Sequence, residues 1–498
     1  MIRNLYKYGN CQYDYTEPLS IEEYGKRMIG HTFGEILSWA DLAAGLESDV
    51  EAYGNAARKG GLGNLIEEKF FGYKANNDSE ADFKEAGVEL KATPYEKKRN
   101  GELKAGERLV LTMIANDKAV EDDFYTSHLW TKCKLLLLVY YLRDKSLGSN
   151  MNYPVDYVKL FTPTAVDLAI IEQDYKAIIE KIQEGRAHEL SEGDTIYLGA
   201  CTKGATAVKS TVPQFYPPHT PARRRAFCYK NSYMTYVLNE YIVKNVTTYE
   251  PEKSIITDVE ELANKTFQQL VVEKISQHVD KTDKELCEQF EREYNNNKSQ
   301  WVDLAYRMLG IRSNRAEEFV KANIVVKAIR LEENGKMVEN SPLPPFKYKE
   351  LVAEEWEDST LCSYLEETKF LFVVYKSNGS EYVLKGCQFW NIPYKDLQEA
   401  RVGWQKIVDI IRDGVVLTPT KTKSGIVIKN NFPKKADNRI IHIRPHAAKR
   451  YFKFEDGTIL GDGTESHANE LPDGRWMPNH SFWLNNDYIV SQIKEELK

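Results

Sequence analysis

The sequence predicts an α/β chain in which mixed sheets are flanked by helices and one plan is used twice in tandem. Three observations carry this. The 498 residues exceed what a single hydrophobic core usually organises. Short apolar runs of strand length alternate with amphipathic runs of helical period. Three pairs of similar segments recur in the same order in the two halves.

Taken in order, LGNLIEEKFFGY (62–73) has Leu62, Leu65, Ile66 and Phe70 at helical spacing and is closed by Gly72. AGVELKATP alternates as a strand and is expected to stop at Pro94. RLVLTMI (108–114) and CKLLLLVYYL (133–142) read as two further strands, the second apolar enough to be central in a sheet. VDLAIIEQDYKAIIEKIQEG (166–185) is an amphipathic helix ending at a glycine. The repeat pairs DFKEAGVELKA (82–92) with EFVKANIVVKA (318–328), and DTIYLGACTKGA (194–205) with NRIIHIRPHAA (438–448). It also pairs RAFCYKNSYMTYVLNEY (225–241) with HSFWLNNDYIVSQIKEE (480–496), where Phe227 matches Phe482 and Tyr233 matches Tyr488. The polar, aperiodic stretch 245–257 holds Pro251 and is the expected linker, so the expected domains are 1–244 and 258–498.

With 42% hydrophobic and 28% charged residues the chain can bury ordinary cores, which excludes a disordered class. The N-terminus lacks the pattern of a signal peptide, and the longest apolar run, LLLLVYYL (135–142), is far short of a membrane helix. Seven scattered cysteines without a CxxC pair argue against zinc and against a disulfide framework, and point to a reducing cytoplasm. The net charge of −7 argues on its face against a polyanionic partner. The distribution argues the other way. From Thr195 to Lys230 there is no carboxylate, while Lys203, Lys209, Arg223, Arg224, Arg225 and Lys230 are present. A second basic strip, 421–453, carries Lys434, Lys435, Arg439, Arg444, Lys449 and Arg450.

The tripeptide ELK occurs twice, at 89–91 and 102–104. In a strand Glu89 and Lys91 share one face while Val88 and Leu90 point into the core. Asp82, upstream across a glycine-containing turn, can bring a second carboxylate, and two carboxylates can hold Mg²⁺ while the lysine orients a water. The second copy, flanked by Gly101 and Gly106, is expected to be a solvated loop.

The segments KGGLGNLIEEKFF, ADFKEAGVELKATP, ERLVLTMI and SHLWTKCKLLLL resemble the MutH family of PD-(D/E)xK nucleases. They are most similar to its GATC-cutting type II restriction endonucleases, the Sau group. The resemblance continues through HELSEGDTIYLGACTKGA, RRRAFCYKNSYMT, EEWEDS, IHIRPHAAK and FWLNNDYI, so it covers nearly the whole chain and implies two tandem MutH-like domains. It implies that Asp82 and Glu89 are metal-binding carboxylates, Lys91 the catalytic lysine and Lys132 a further active-site lysine. Glu67 matches an additional active-site glutamate, with adjacent Glu68 the weaker match. Lys59 and Lys203 match DNA-contacting lysines. Also implied are a Mg²⁺ cofactor, double-stranded GATC-containing DNA as substrate, a homodimer on DNA, a cognate DNA methyltransferase and a bacterial cytoplasmic setting.

Set against the first half, the second places Val325 at Glu89, Ala305 approximately at Glu67, Glu318 at Asp82, Lys327 at Lys91 and Glu367 near Lys132. Valine cannot ligate Mg²⁺, so the second domain is expected to be an inactive copy that keeps the fold and a basic surface, and the resemblance implies that this copy is DNA-binding and allosteric. Its candidate phosphate contacts are Lys434, Lys435, Arg439, Arg444 and Lys449. The histidines of HIRPH (442–446) are poorly placed for a metal because of Pro445 and the strand-like setting. Cys228 and Cys201 stand where methylation-sensing mismatch-repair members have a tyrosine and an arginine, which puts methyl discrimination in doubt. The rival readings are a strand-nicking mismatch-repair endonuclease, and a DNA-binding regulator without catalysis.

Overall fold

The run LLLLVYYL becomes a strand buried on both faces. Leu137 and Val139 join a core with Val88, Leu90, Phe70 and Phe71, while Leu136, Leu138 and Tyr140 on the opposite face are equally sealed from solvent. Each such side chain contributes on the order of 1.5–3 kcal/mol by leaving water. The structure is a computed structural model that describes residues 5–498 except 9–10, 45–52, 54–60, 74–79, 99, 204–210, 245–254, 257, 296, 298, 312–315, 338, 340 and 423–424. The chain divides into two compact units, Met1–Phe267 with Arg315–Asn323, and Gln268–Asn314 with Ile324–Lys498. The division falls beyond the expected linker, most of which lies outside the described residues.

Unit 1 opens with a hairpin of β1 (Leu5–Tyr8) and β2 (Cys11–Asp14), followed by helices α1 (Pro18–Gly25), α2 (Phe33–Ala44) and α3 (Gly61–Leu65). The main sheet has the order β4-β3-β6-β7, from β3 (Glu89–Lys97), β4 (Leu103–Ala105), β6 (Leu136–Leu142) and β7 (Val155–Phe161). β3 and β6 are parallel, and β7 and β4 are antiparallel to their neighbours. A second, antiparallel sheet sets β11 (Arg225–Tyr229) between β5 (Leu109–Met113) and β8 (Leu198–Thr202). β9 (Thr211–Val212) and β10 (Ala222–Arg223) form a short ribbon. Helices α4 (His128–Cys133), α5 (Ala165–Gln183), α6 (Asn231–Tyr236) and α7 (Glu317–Ala322) complete the unit.

Three local expectations are corrected. Cys133 ends α4 rather than opening β6, because Ser127 caps a helix there by accepting from the Trp130 amide. β3 runs through Pro94 to Lys97. The Pro94 carbonyl accepts from the Gly106 amide at 2.8 Å on the β4 side, so the missing proline N–H falls at the end of β4 and no bond to β6 is lost. The second ELK is not wholly loop, since Leu103 and Lys104 pair with Lys97 and Glu96 as an edge strand.

Unit 2 repeats the plan. β12 (Ile324–Leu331) is parallel to β14 (Lys369–Ser377), which is antiparallel to β15 (Tyr382–Trp390). A second sheet sets β23 (His480–Leu484) between β13 (Ser341–Phe346) and β18 (Ile441–Pro445). Helices α8 (Thr360–Glu367), α9 (Tyr394–Asp413) and α10 (Asn486–Gln492) take the places of α4, α5 and α6 in the element order. Unit 2 adds a ribbon of β16 (Leu417–Thr422) and β17 (Gly425–Asn430). It also adds a small sheet from β19 (Tyr451–Lys453), β20 (Ile459–Gly461), β21 (Ala468–Glu470) and β22 (Trp476–Pro478). The duplicated pattern of one parallel and one antiparallel pairing is a structural counterpart of the segment repeat.

Candidate active site

Glu89 opens β3, and the turn before it folds back through a bridge between Phe83 and Val88, with Gly87 at φ +65. Asp82 and Glu89 are thereby locked together. The Asp82 amide donates to Glu89 Oε2 at 3.3 Å, and the Leu90 amide donates to Asp82 Oδ2 at 2.9 Å. Lys91, two residues along the same strand face, donates to Glu89 Oε1 at 2.7 Å. Because β3 and β6 are parallel, with Glu89 beside Leu136, the last turn of α4 lies next to Glu89. Lys132 Nζ reaches Glu89 Oε2 at 3.0 Å and the Glu80 carbonyl at 2.6 Å. Glu89 is 3% exposed, so this carboxylate is held between two ammonium groups out of bulk water.

α3 continues as a π-helical turn, Ile66–Phe71, closed by Gly72 in the left-handed region at φ +75. This turn carries Glu67. Burial, then the charges of Asp82 and Glu89, push the Glu67 carboxyl up to about 7 against the pull of Lys91. Asp82 is pushed up to about 6 by burial and by Glu89, opposed by the Leu90 amide, Lys91 and Lys132. Glu68, by contrast, accepts from the Tyr53 hydroxyl at 2.7 Å. Glu67 is therefore the glutamate that shares the field of Asp82 and Glu89.

The donors gathered here are carboxylate oxygens with no histidine or cysteine. Among the described residues no three His, Cys, Asp or Glu side chains enclose an ion by themselves. That set fits a hard divalent cation that keeps several waters and takes further ligands from substrate phosphate. Burial first, and the charges of neighbouring carboxylates second, raise the affinity of Asp82 and Glu67 for protons.

Residues 71–174 match the family described as DNA mismatch repair enzyme MutH, a span that includes Asp82, Glu89, Lys91 and Lys132. Over 458 residues the chain is 36% identical to the type II restriction enzyme Sau3AI of Staphylococcus aureus, covering 86% of this chain and 91% of that protein. The chain belongs to the MutH-like type II restriction endonucleases. As a member of that family it is a site-specific deoxyribonuclease that acts on DNA. Among the described residues no helix is long and apolar enough to cross a membrane.

The basic residues of this endonuclease separate into two groups. Lys59 lies outside the described residues. Lys203 follows β8, partly exposed, and its amide donates to the Arg224 carbonyl at 2.9 Å. Arg223 is partly exposed and Arg224 exposed. Arg225 and Lys230 are corrected: they are 3% and 2% exposed and cannot reach a phosphate. Arg225 donates to the Ala200 carbonyl at 2.6 Å and Lys230 to the Thr195 carbonyl at 2.6 Å. Both are sealed because β11 lies between two strands and its end packs under the loop before β8.

In unit 2, Lys434, Lys435 and Lys449 are exposed, with Lys435 3.6 Å from Asp487. Arg439 is engaged by Asp396 at 2.5 Å and Glu399 at 2.8 Å, so its charge is already matched. Arg444 is exposed and sits over the Trp483 ring, 4.7 Å from its centroid. Strand register makes the comparison of the two units residue-specific. Ala226 pairs with Cys201, and Cys228 with Gly199; Ser481 pairs with Arg444, and Trp483 with His442. Arg444 and Trp483 thus occupy the positions of Cys201 and Cys228. The Cys228 thiol, which donates to the Gly199 carbonyl at 3.6 Å, draws Cys201 down to about 6 against the push of burial, helped by Arg108, Lys203 and Arg225. No local sequence pattern singles out Trp483, or Tyr73, whose buried hydroxyl lies in the field of the acidic cluster.

The same register compares the acidic cluster. Glu89 pairs with Leu136 and Lys91 with Leu138; Val325 pairs with Phe370 and Lys327 with Phe372. Lys132 then corresponds to Glu366, one residue from the expected Glu367. Lys327 keeps its place but burial lowers its proton affinity, and among the described residues no carboxylate offsets that. Ala305 is buried in the Gln300–Met308 helix. Glu318 belongs to unit 1, where its carboxylate accepts from the Ile255 and Ile256 amides at 3.0 and 2.9 Å.

Proposed function

We propose that this restriction endonuclease makes Mg²⁺-dependent double-strand breaks at 5′-GATC-3′, with the first unit cutting and the second binding another copy of the site as an effector. The observation that carries the reading is the Glu89 carboxylate gripped by Lys91 and Lys132 and hydrogen-bonded to the Asp82 amide. GATC is supported by the resemblance of the whole chain to the GATC-cutting group.

Asp82 and Glu89 would hold the cation, which when bound neutralises charge at the scissile phosphate and eases departure of the 3′ oxygen. Lys132 fixes the Glu89 carboxylate so that it cannot swing away from the phosphate site. Lys91, partly exposed on the same face, orients the attacking water. Glu67, poised near neutrality, accepts that water's proton at its carboxylate. Lys203, Arg223 and Arg224 supply phosphate contacts around the cutting unit, and Lys59 is a further candidate.

One chain carries one such set, because Val325 and Glu366 replace Glu89 and Lys132 in unit 2. Cutting both strands of a palindrome therefore takes two chains, and we propose a homodimer on DNA. Lys434, Lys435, Lys449 and Arg444 over Trp483 form the DNA surface of unit 2, whose occupancy favours the cutting assembly by linkage. A cognate DNA methyltransferase protecting the host sites, in the bacterial cytoplasm, completes the reading.

The test is plasmid digestion with and without Mg²⁺, followed by mapping of fragment ends. Discrete fragments ending at GATC are expected. Nicked circles alone would favour a strand-nicking repair enzyme, and band retardation without cutting a DNA-binding regulator.

A further inference from the structure

Tyr73 follows the π-helical turn that carries Glu67, and its amide donates to the Glu67 carbonyl at 3.1 Å. The left-handed Gly72 sets the direction in which the chain leaves that turn. The Tyr73 ring packs edge-on against Phe83, next to Asp82, with centroids 5.1 Å apart. Its hydroxyl is sealed from solvent and, among the described residues, has no hydrogen-bond partner. The carboxylates whose charges act on it are Asp82 first, then Glu67 and Glu89. A buried O–H without an acceptor is destabilising, so a phenol kept within the field of three carboxylates calls for an acceptor in the working state. Asp82 offers one, since its Oδ2 takes the Leu90 amide and Oδ1 has no hydrogen bond among the described residues.

We infer that Tyr73 is a positioning residue whose hydroxyl, once the cation is bound, donates to the Asp82 carboxylate and holds it in its cation-ligating orientation. The inference rests on the reading of Asp82 as a cation ligand. The same ring with hydrogen in place of the hydroxyl would pack equally well against Phe83, so what the hydroxyl adds is the hydrogen bond. Partners that orient a metal ligand from behind typically change cation affinity by about 10–100-fold when removed.

The experiment is Mn²⁺ binding to the full-length chain without DNA, counted from the paramagnetic resonance of the free ion, for wild type, Tyr73→Phe and Asp82→Asn. Tyr73→Phe is expected to bind Mn²⁺ about tenfold more weakly, with an unchanged or higher cation-free melting temperature because an unpaired buried hydroxyl is gone. Binding within about twofold of wild type, while Asp82→Asn loses it, overturns the inference and leaves the cation reading intact. A lowered melting temperature with unchanged Mn²⁺ affinity likewise overturns it, marking Tyr73 as a core residue only. Wild-type binding by Asp82→Asn removes the cation reading of Asp82, and the role of Tyr73 with it.

Discussion

Lys132 Nζ lies 3.0 Å from Glu89 Oε2 although 43 residues separate them in the chain. The parallel pairing of β3 with β6 makes the contact, since it sets the end of α4 beside the start of β3. The fold thus delivers the second ammonium group to the carboxylate on which the proposed chemistry depends.

Lys132→Met should uncover what that ammonium does. It leaves a buried carboxylate with one cation instead of two, and removal of one member of a buried pair costs about 3 kcal/mol. Denaturant unfolding should show a loss of that order. Single-turnover cleavage should fall by at least about 100-fold, with DNA affinity retained.

The pH dependence has a definite sign. Glu67 is raised from 4.5 to about 7 and Asp82 from 3.8 to about 6, so the folded chain binds protons more tightly than the unfolded chain. Without a divalent cation, stability is expected to fall as pH rises from about 4 through about 7 and to stay lower above that window. Glu67→Gln should raise stability near pH 8 by about 1–2 kcal/mol, allowing for solvent screening of a partly exposed group, and leave it unchanged near pH 4. Thermal melts of the two proteins across this range check it, and equal curves throughout would exclude the raised proton affinity of Glu67 that its burial and its neighbours' charges produce.

Arg224 and Arg225 are neighbours with opposite expected phenotypes. Arg224→Ala should weaken DNA binding and reduce the salt slope of the affinity by about 1. Arg225→Ala removes a donor from the buried Ala200 carbonyl and should lower stability by about 1–3 kcal/mol with the salt slope unchanged. Filter binding over a salt series, beside unfolding curves, separates them.

The contrast shows where sequence reading stops. A run of three arginines in a stretch without carboxylates reads as one basic patch, but β11 lies between β5 and β8 and buries Arg225 while Arg224 stays exposed. The Asp82, Glu89, Lys91 set was legible because strand alternation and a short turn fix it locally. Lys132 needed the family resemblance, since its contact is made by a parallel pairing that no local pattern specifies. Tyr73 is one of 30 tyrosines, and what sets it apart is a buried hydroxyl, unpartnered among the described residues, in the field of Asp82, Glu67 and Glu89. α7 belongs to unit 1, where Lys321 pairs with buried Asp167 at 2.6 Å across 154 residues, a contact that no local pattern announces.

Unit 2 should resist conversion into a second nuclease. Val325→Glu in an otherwise inactive Glu89→Ala chain restores one carboxylate, but Glu366 stands in place of Lys132 and Glu318 is engaged by backbone amides of unit 1. No cleavage is expected from that double variant in an overnight plasmid assay.

The most direct measurement is Glu89→Ala assayed for plasmid cleavage and for duplex binding in parallel. The variant should lose cleavage by at least about 1,000-fold in Mg²⁺ while holding DNA within about threefold of the wild-type affinity. Cleavage that survives the substitution would contradict the assignment of this carboxylate, and with it the placement of the active site at the start of β3.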